Sequence, residues 1–248
     1  LYLAAHLLDK TADGDMESGS APYLDQGSAV NVAIGLMASA GLALSALGEA
    51  GISPETAQAI RRDFYRTGLK MCAGQHDRLT RFAPTLKQCW EMAGARSGIF
   101  FALACRAGAW LATDDAPRLD LFGEFGYHLG GLIQIGDDLA GLWPMAGERS
   151  DLAASRRWTL PVAYAMSVMP ALERDQLHER LKAAPMDMAA EAEARCLMIE
   201  SGAVLYLTIE AEKHRQRAAA ALRAVASPSG VRDELLTMLD AIASLGKA

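Results

Sequence analysis

Several things are scarce in this chain, and each scarcity excludes something. No Lys/Arg-rich run or basic stripe occurs, and the formal net charge is −6 over 248 residues. The electrostatic footprint of nucleic-acid binding is therefore missing, and no nucleic-acid partner is expected. A small anionic substrate stays open, because a local site can carry its own cations. Cysteine is limited to Cys72, Cys89, Cys105 and Cys196, widely spaced and without a CxxC. Each lies in an apolar, helical context, so the four read as reduced core cysteines of an intracellular, cytoplasmic protein. No apolar run is read as reaching the roughly 20 residues that span a bilayer, and no signal-peptide pattern is recognised; no membrane span is expected. Long alternating runs and Asn-Gly hairpins are absent, as are repeats of fixed period and low-complexity tracts.

What is present points to helices. Hydrophobic residues make up 51% of the chain and charged ones 22%, which fits one large domain over residues 1–248 with a sizeable core. Ala, Leu, Met, Glu and Arg dominate, and 3.6-residue periodicity is nearly continuous between punctuation marks. It predicts helices at 1–14, 28–48, 54–79, 86–112, 117–142, 158–168, 170–183, 187–201, 203–225 and 230–245, an all-α chain. "ISPETAQ" places Ser53 as an N-cap with Pro54 at the first helical position, and "SPSGVRDE" restarts the last helix. The chain opens in mid-pattern at "LYLAAHLL" without a methionine, so an N-terminal part is expected to precede it.

Two acidic clusters stand out against this background. In "AHLLDKTADGD", Asp9 and Asp13 fall on one helix face about 5–6 Å apart at Cβ, a like-charge spacing that destabilises an isolated helix. In "GGLIQIGDDLAGLW", Asp137 and Asp138 close a run of apolar and small residues. Carboxylates ending an apolar helix are costly to desolvate unless a cation or hydrogen bonds neutralise them. A hard divalent ion would do so, since Mg²⁺ commonly takes one or two carboxylates, waters and substrate phosphate oxygens. The bland alternative is a solvated pair or a cap, and "ATDDAPR", with Asp114 and Asp115 in a polar turn before Pro117, is such a case. Each cluster is followed by a long irregular link, "GDMESGSAPYLDQG" or "GLWPMAGERSDLAASRR". The expected helix at 117–142, which carries the second cluster, also contains Gly123, Gly126, Gly130, Gly131, Gly136 and Gly141, each costing about 0.5–1 kcal/mol relative to alanine. Close helix packing and room for a long ligand both account for them.

With these residues in view, the chain resembles the trans-isoprenyl diphosphate synthases, the polyprenyl synthetase family, over nearly its whole length. "LLDKTADGD" is similar to the first aspartate-rich motif, DDxxD, and "LIQIGDDLAG" to the second, FQxxDDxxD. "MCAGQHDRL" resembles the GQxxDL segment, "EMAGARSGIFFALACRAGAWLA" the KTGxLxxxxxxLG helix, and "RRWTLPVAYAM" the KKTLPxxxAL stretch. The resemblance implies an isoprenoid synthase-type helical bundle around a deep central apolar cavity, usually a homodimer. It implies three Mg²⁺ ions gripping the diphosphate of an allylic isoprenyl diphosphate, whose C–O bond ionises. Asp9, Asp13 and Asp137 correspond to direct metal ligands, and Asp138 to one acting through water. Arg96 stands for the lysine that meets the diphosphate. Gln134 belongs to the second motif, and Arg149, Arg156 and Arg157 lie in or near the basic flap segment. Asp9, Asp13, Asp137 and Arg96 would thus carry the catalysis. Ala5 and Ala4, four and five residues before the first motif, correspond to the cavity floor, and their small size favours a chain of C15–C20 or longer.

Three departures bear on activity. Lys10 replaces an acid that is not usually a direct ligand, and Gly141 replaces the last acid of the second motif. Aligning Pro22 with the family's proline puts Ser18 and Gly19 where elongating members carry an arginine pair for isopentenyl diphosphate, and no Lys or Arg occurs between Lys10 and Arg61. The reading placed first is therefore a terpene synthase or cyclase on this scaffold. The alternative is a trans-prenyltransferase elongating with isopentenyl diphosphate, and the third is a non-catalytic regulatory subunit.

Overall fold

Caps mark helix starts where the sequence places them. The Ser53 side chain accepts the Thr56 N–H, with Pro54 next in line. Thr85 and Gln88 form a reciprocal capping box, and Asp25 accepts the Ser28 N–H, each satisfying otherwise orphaned first-turn donors. The computed structural model describes residues 1–13, 25–81, 83–143, 150–153, 158–225 and 229–245. Its helices run α1 (Tyr2–Asp13), α2 (Gln26–Ser45), α3 (Pro54–Thr80), α4 (Leu86–Ala93), α5 (Ile99–Trp110), α6 (Ala116–Ala140), α7 (Leu160–Val168), α8 (Ala171–Ala183), α9 (Met188–Glu200), α10 (Ala203–Ala224) and α11 (Ser229–Leu245). The expected single helix at 86–112 is instead broken by a π-helical segment, Gly94–Gly98, between α4 and α5. The described residues contain no strand, and the all-α expectation holds.

Helix α6 is the hub, packed on α5 along one side and on α10 along another. Its glycines make this possible. A Cβ at Gly126 would lie 2.6 Å from the Phe101 carbonyl carbon, and one at Gly130 would lie 2.7 Å from that of Ser97. Backbone therefore touches backbone at two positions one turn apart, and the packing explanation holds there. Gly136 has open space around it. The core is layered around this helix: Phe125, Leu129, Leu222 and Leu239 bind α6 to α10 and α11, while Ile135, Leu139, Leu160 and Leu207 bind it to α7 and α10. A third cluster, including Leu142, Val162, Leu177 and Met198, holds α7, α8 and α9 together.

Two sequence expectations need correction. Cys89 is buried, but Cys72 and Cys196 are exposed, because their apolar neighbours serve other faces of the same helices. Gln26–Gly48 is also long and apolar enough, by length and composition, to cross a membrane. Small polar residues such as Ser28 and Asn31 interrupt the run without raising its polarity much, and most of this helix is exposed, with Ile34 at 61% and Leu42 at 73%.

Candidate active site

A cavity of about 630 Å³ opens between α1, α3, the π-helical segment, α6 and the start of α7, a volume within the range of small-molecule sites. Asp9, Asp137, Asp138, Arg96 and Gln134 all line it. Residues 128 positions apart in sequence, the two acidic clusters therefore face one space. A smaller cavity of about 270 Å³ between α3 and α4 contains none of these carboxylates.

At the first cluster, Arg96 donates to Asp9 Oδ1 at 2.8 Å, and Arg78 of α3 approaches the same oxygen at 3.8 Å. Arg96 is aimed by the π-helical segment, which inserts one extra residue per turn and re-aims the side chains it carries. Gly94 and Gly98 border this segment, and the Tyr127 ring lies where their Cβ atoms would be, 2.7 Å from that of Gly98. Alanine at either position would push against α6.

At the second cluster the two aspartates diverge. Asp138 is buried, and both its oxygens are engaged. Oδ1 accepts from Gln134 Nε2 at 2.8 Å, and Oδ2 accepts the Leu160 N–H at 2.7 Å. Asp138 thus caps α7 in place of Thr159, whose side chain makes no cap bond. Ser97 Oγ donates to Gln134 Oε1 at 2.7 Å, so one relay ties the π-helical segment, α6 and α7 together. Burial pushes the Asp138 carboxyl up to about 6, against the pull of its two hydrogen bonds. Asp137 has its carboxyl toward the cavity. Burial first and Asp151 second raise its pKa, while Arg96 and His6 oppose them.

Gly141 explains how Asp151 reaches this neighbourhood. Asp151 donates its N–H to the Gly141 carbonyl at 2.9 Å, and a Cβ at position 141 would lie 2.6 Å from Asp151 Cγ. The bare glycine cradles that carboxylate beside Asp137 and Asp138. Among the described residues no three Asp, Glu, His or Cys side chains form a ready-made metal cage. Mg²⁺ completes its shell with water and phosphate oxygens around one or two carboxylates. The separated, hard-oxygen donors Asp9 and Asp137 fit such an ion; Asp138, with both oxygens occupied, is placed to hold helices rather than to ligate directly.

The other expected residues divide. Ala5 lines the cavity, whereas Ala4 is fully buried, belongs to the packing of α1 and is not part of the cavity wall. Beyond Ala5 the wall turns aromatic: Tyr2 stacks on His6 at 6.0 Å and tilts against Phe100 at 5.7 Å. The side chain of Asp13 and the whole of Arg149, Arg156 and Arg157 lie outside the described residues, as do Ser18, Gly19 and Pro22. Three cavity residues escaped the sequence reading: Arg78, Asp151 and Gln75, whose buried amide has no hydrogen-bond partner among the described residues for either polar atom. Gln75 does sit inside "MCAGQHDRL", so a signal was present; Asp151 followed the second cluster without a spacing to mark it.

A family model described as polyprenyl synthetase matches residues 20–198. Among solved structures, a polyprenyl synthetase from Streptomyces coelicolor A3(2) is 27% identical, with a TM-score of 0.82 covering 96% of this chain and 74% of that one. A geranylgeranyl pyrophosphate synthetase from Pyrococcus horikoshii Ot3 is 21% identical, with a TM-score of 0.85 covering 97% and 75%. A geranylgeranyl pyrophosphate synthase from Corynebacterium glutamicum, complexed with calcium and isoprenyl diphosphate, is 21% identical, with a TM-score of 0.77 covering 98% and 74%. No curated protein matches.

Proposed function

The chain belongs to the polyprenyl synthetase family, and from that premise we propose that it ionises a long allylic isoprenyl diphosphate and transfers the prenyl group to isopentenyl diphosphate. The observation carrying this reading is the convergence of Asp9, Asp137 and Arg96 on one cavity that Tyr2, Ala5 and Phe100 also line. Charged groups and apolar side chains around one space suit a diphosphate with a hydrocarbon tail. Asp9, Asp137 and, by family correspondence, Asp13 would hold Mg²⁺, which supplies charge neutralisation of the departing diphosphate. Arg96 offers a planar fork suited to phosphate oxygens. Asp138 works as a positioning residue, through Gln134 and the start of α7. Ala5 leaves the shaft open, which supports a tail of C15–C20 or longer. The exposed apolar face of α2 supports a homodimer, since burying it would remove Ile34 and Leu42 from water.

One observation favours a second reading, the terpene synthase. The stretch between Lys10 and Arg61 contains no Lys or Arg, and weakening the charge-assisted contacts to a second diphosphate disfavours isopentenyl diphosphate binding. The protein is to be incubated with Mg²⁺ and C10, C15 or C20 allylic diphosphates, with and without isopentenyl diphosphate, and the products identified. A longer diphosphate formed only with isopentenyl diphosphate is the expected result. A hydrocarbon or alcohol formed without it would replace transfer by cyclisation, and no turnover in any mixture would overturn both.

A further inference from the structure

Arg78 and Arg96 reach Asp9 from different elements, the last turn of α3 and the π-helical segment, and meet the same carboxylate oxygen at 3.8 and 2.8 Å. Both guanidiniums are largely shielded, with 14% and 22% of their side chains exposed, and Asp9 keeps 33%. All three line the large cavity. Asp9 Oδ1, which accepts from Arg96 and is flanked by Arg78, is not free to ligate a divalent cation unless Arg96 lets go, and two positive charges beside the carboxylate repel a cation approaching either of its oxygens. Arginines that leave Asp9 can turn to a diphosphate, which offers several oxygens in the geometry an arginine fork prefers. The GQxxDL spacing adds a further point, since in "GQHDRL" the motif's acid position is occupied by Arg78. A cation has entered a place where the pattern has a carboxylate.

We propose that Arg78 and Arg96 form a latch that holds Asp9 in the ligand-free protein and exchanges it for the substrate diphosphate when a divalent cation takes the carboxylate. The cation frees the arginines and the diphosphate captures them, so each ligand favours binding of the other. Arg78 thereby becomes a diphosphate-binding residue on α3, and the affinity of Asp9 for a divalent cation stays low until the diphosphate arrives. This inference rests on the site reading above, in which Asp9 is a metal ligand.

The latch makes a prediction of opposite sign for the two ligands. Mn²⁺ alone is titrated into wild type and Arg78→Gln by electron paramagnetic resonance, and inorganic pyrophosphate is titrated in the presence of Mg²⁺ by calorimetry. Arg78→Gln is expected to bind Mn²⁺ alone about 5-fold more tightly, because Asp9 is partly released, and pyrophosphate about 10-fold more weakly. If Arg78 were merely a strut between α1 and α3, both affinities would weaken together or neither would change, and either result overturns the latch. Arg78→Lys keeps the charge without the fork and is expected to fall between the two proteins. It also preserves the test should the glutamine variant fail to fold, since a lysine variant no different from wild type in both titrations would sink the proposal. Wild type that binds neither Mn²⁺ nor pyrophosphate with Mg²⁺ would instead remove the site reading itself.

Discussion

Single residues settle how the two acidic clusters tolerate their own charge. The Asp9 carboxylate is met by two arginines. Asp138 is satisfied by an amide and a backbone N–H. The family resemblance sets it apart from Asp137 as a ligand acting through water, but its hold on the start of α7 was not legible, because the decisive partner, Leu160, lies 22 residues further on. Gly141 is a similar case: in sequence it is a missing acid, in space a cradle for Asp151. Gly141→Ala is expected to force the Asp151 side chain away and to cost about 1–3 kcal/mol through overpacking, read as a lower midpoint in thermal denaturation. An unchanged midpoint would mean the carboxylate moves freely. A second residue-scale test concerns the partly buried contact between His128 Nδ1 and His214 Nδ1 at 3.1 Å. Burial first, and His128 second, push His214 down to about 4, below an unfolded value of roughly 6.5. The unfolded chain therefore binds more protons between these values. The stability contribution is complete above about pH 6.5 and is lost as pH falls toward about 4. His214→Phe removes the titrating group, so its thermal midpoint should fall less than that of wild type between pH 7 and pH 4.5. Equal slopes would contradict the assignment.

At the scale of elements, the helices were legible because their punctuation is chemical. Ser53 and Pro54 start α3 where the cap pattern puts them, and Asp25 starts α2 within three residues of the expected boundary. The break at Gly94–Gly98 was not legible, since "GARSG" sits inside an otherwise continuous periodic run. A π-helical turn is decided by what packs on it, here Tyr127 against two glycines. Glycine content likewise signalled that something was close to α6 without saying what. The structure separates the cases, and this yields a paired prediction. Gly130→Ala would bring a Cβ to 2.7 Å from the Ser97 carbonyl carbon, where backbone cannot give way. It should destabilise by about 1–3 kcal/mol and disturb the Ser97–Gln134 hydrogen bond. Gly136→Ala meets nothing within 4 Å and should stabilise by about 0.5–1 kcal/mol through the unfolded chain. Denaturant titration of the two variants reads both, and shifts of the same sign would refute the packing account.

For the whole molecule, the bundle positions its chemistry by letting α1, α3 and α6 end or bend around one cavity. The outer face of α2 is apolar and largely uncovered, a surface that self-association would cover. Ile34→Glu places a charge on that face. In sedimentation velocity the variant is expected to run at half the mass of wild type, with unchanged helical circular dichroism; a wild type already at the mass of one chain would exclude the dimer. Five motifs in order made the family legible and periodicity the helical architecture, and of the expected residues Ala5, Asp9, Arg96, Gln134, Asp137 and Asp138 line one cavity. Arg78, Asp151 and the role of Asp138 stayed hidden, because long-range contacts rather than spacing define them. The account as a whole depends on Asp9 handling a diphosphate. The most direct measurement is Mg²⁺-dependent release of inorganic pyrophosphate from a C20 allylic diphosphate by wild type and Asp9→Ala, with helical content followed by circular dichroism. The predicted result is release by wild type and a loss of at least about 100-fold in the variant with unaltered helix content. Equal release by both proteins would contradict it.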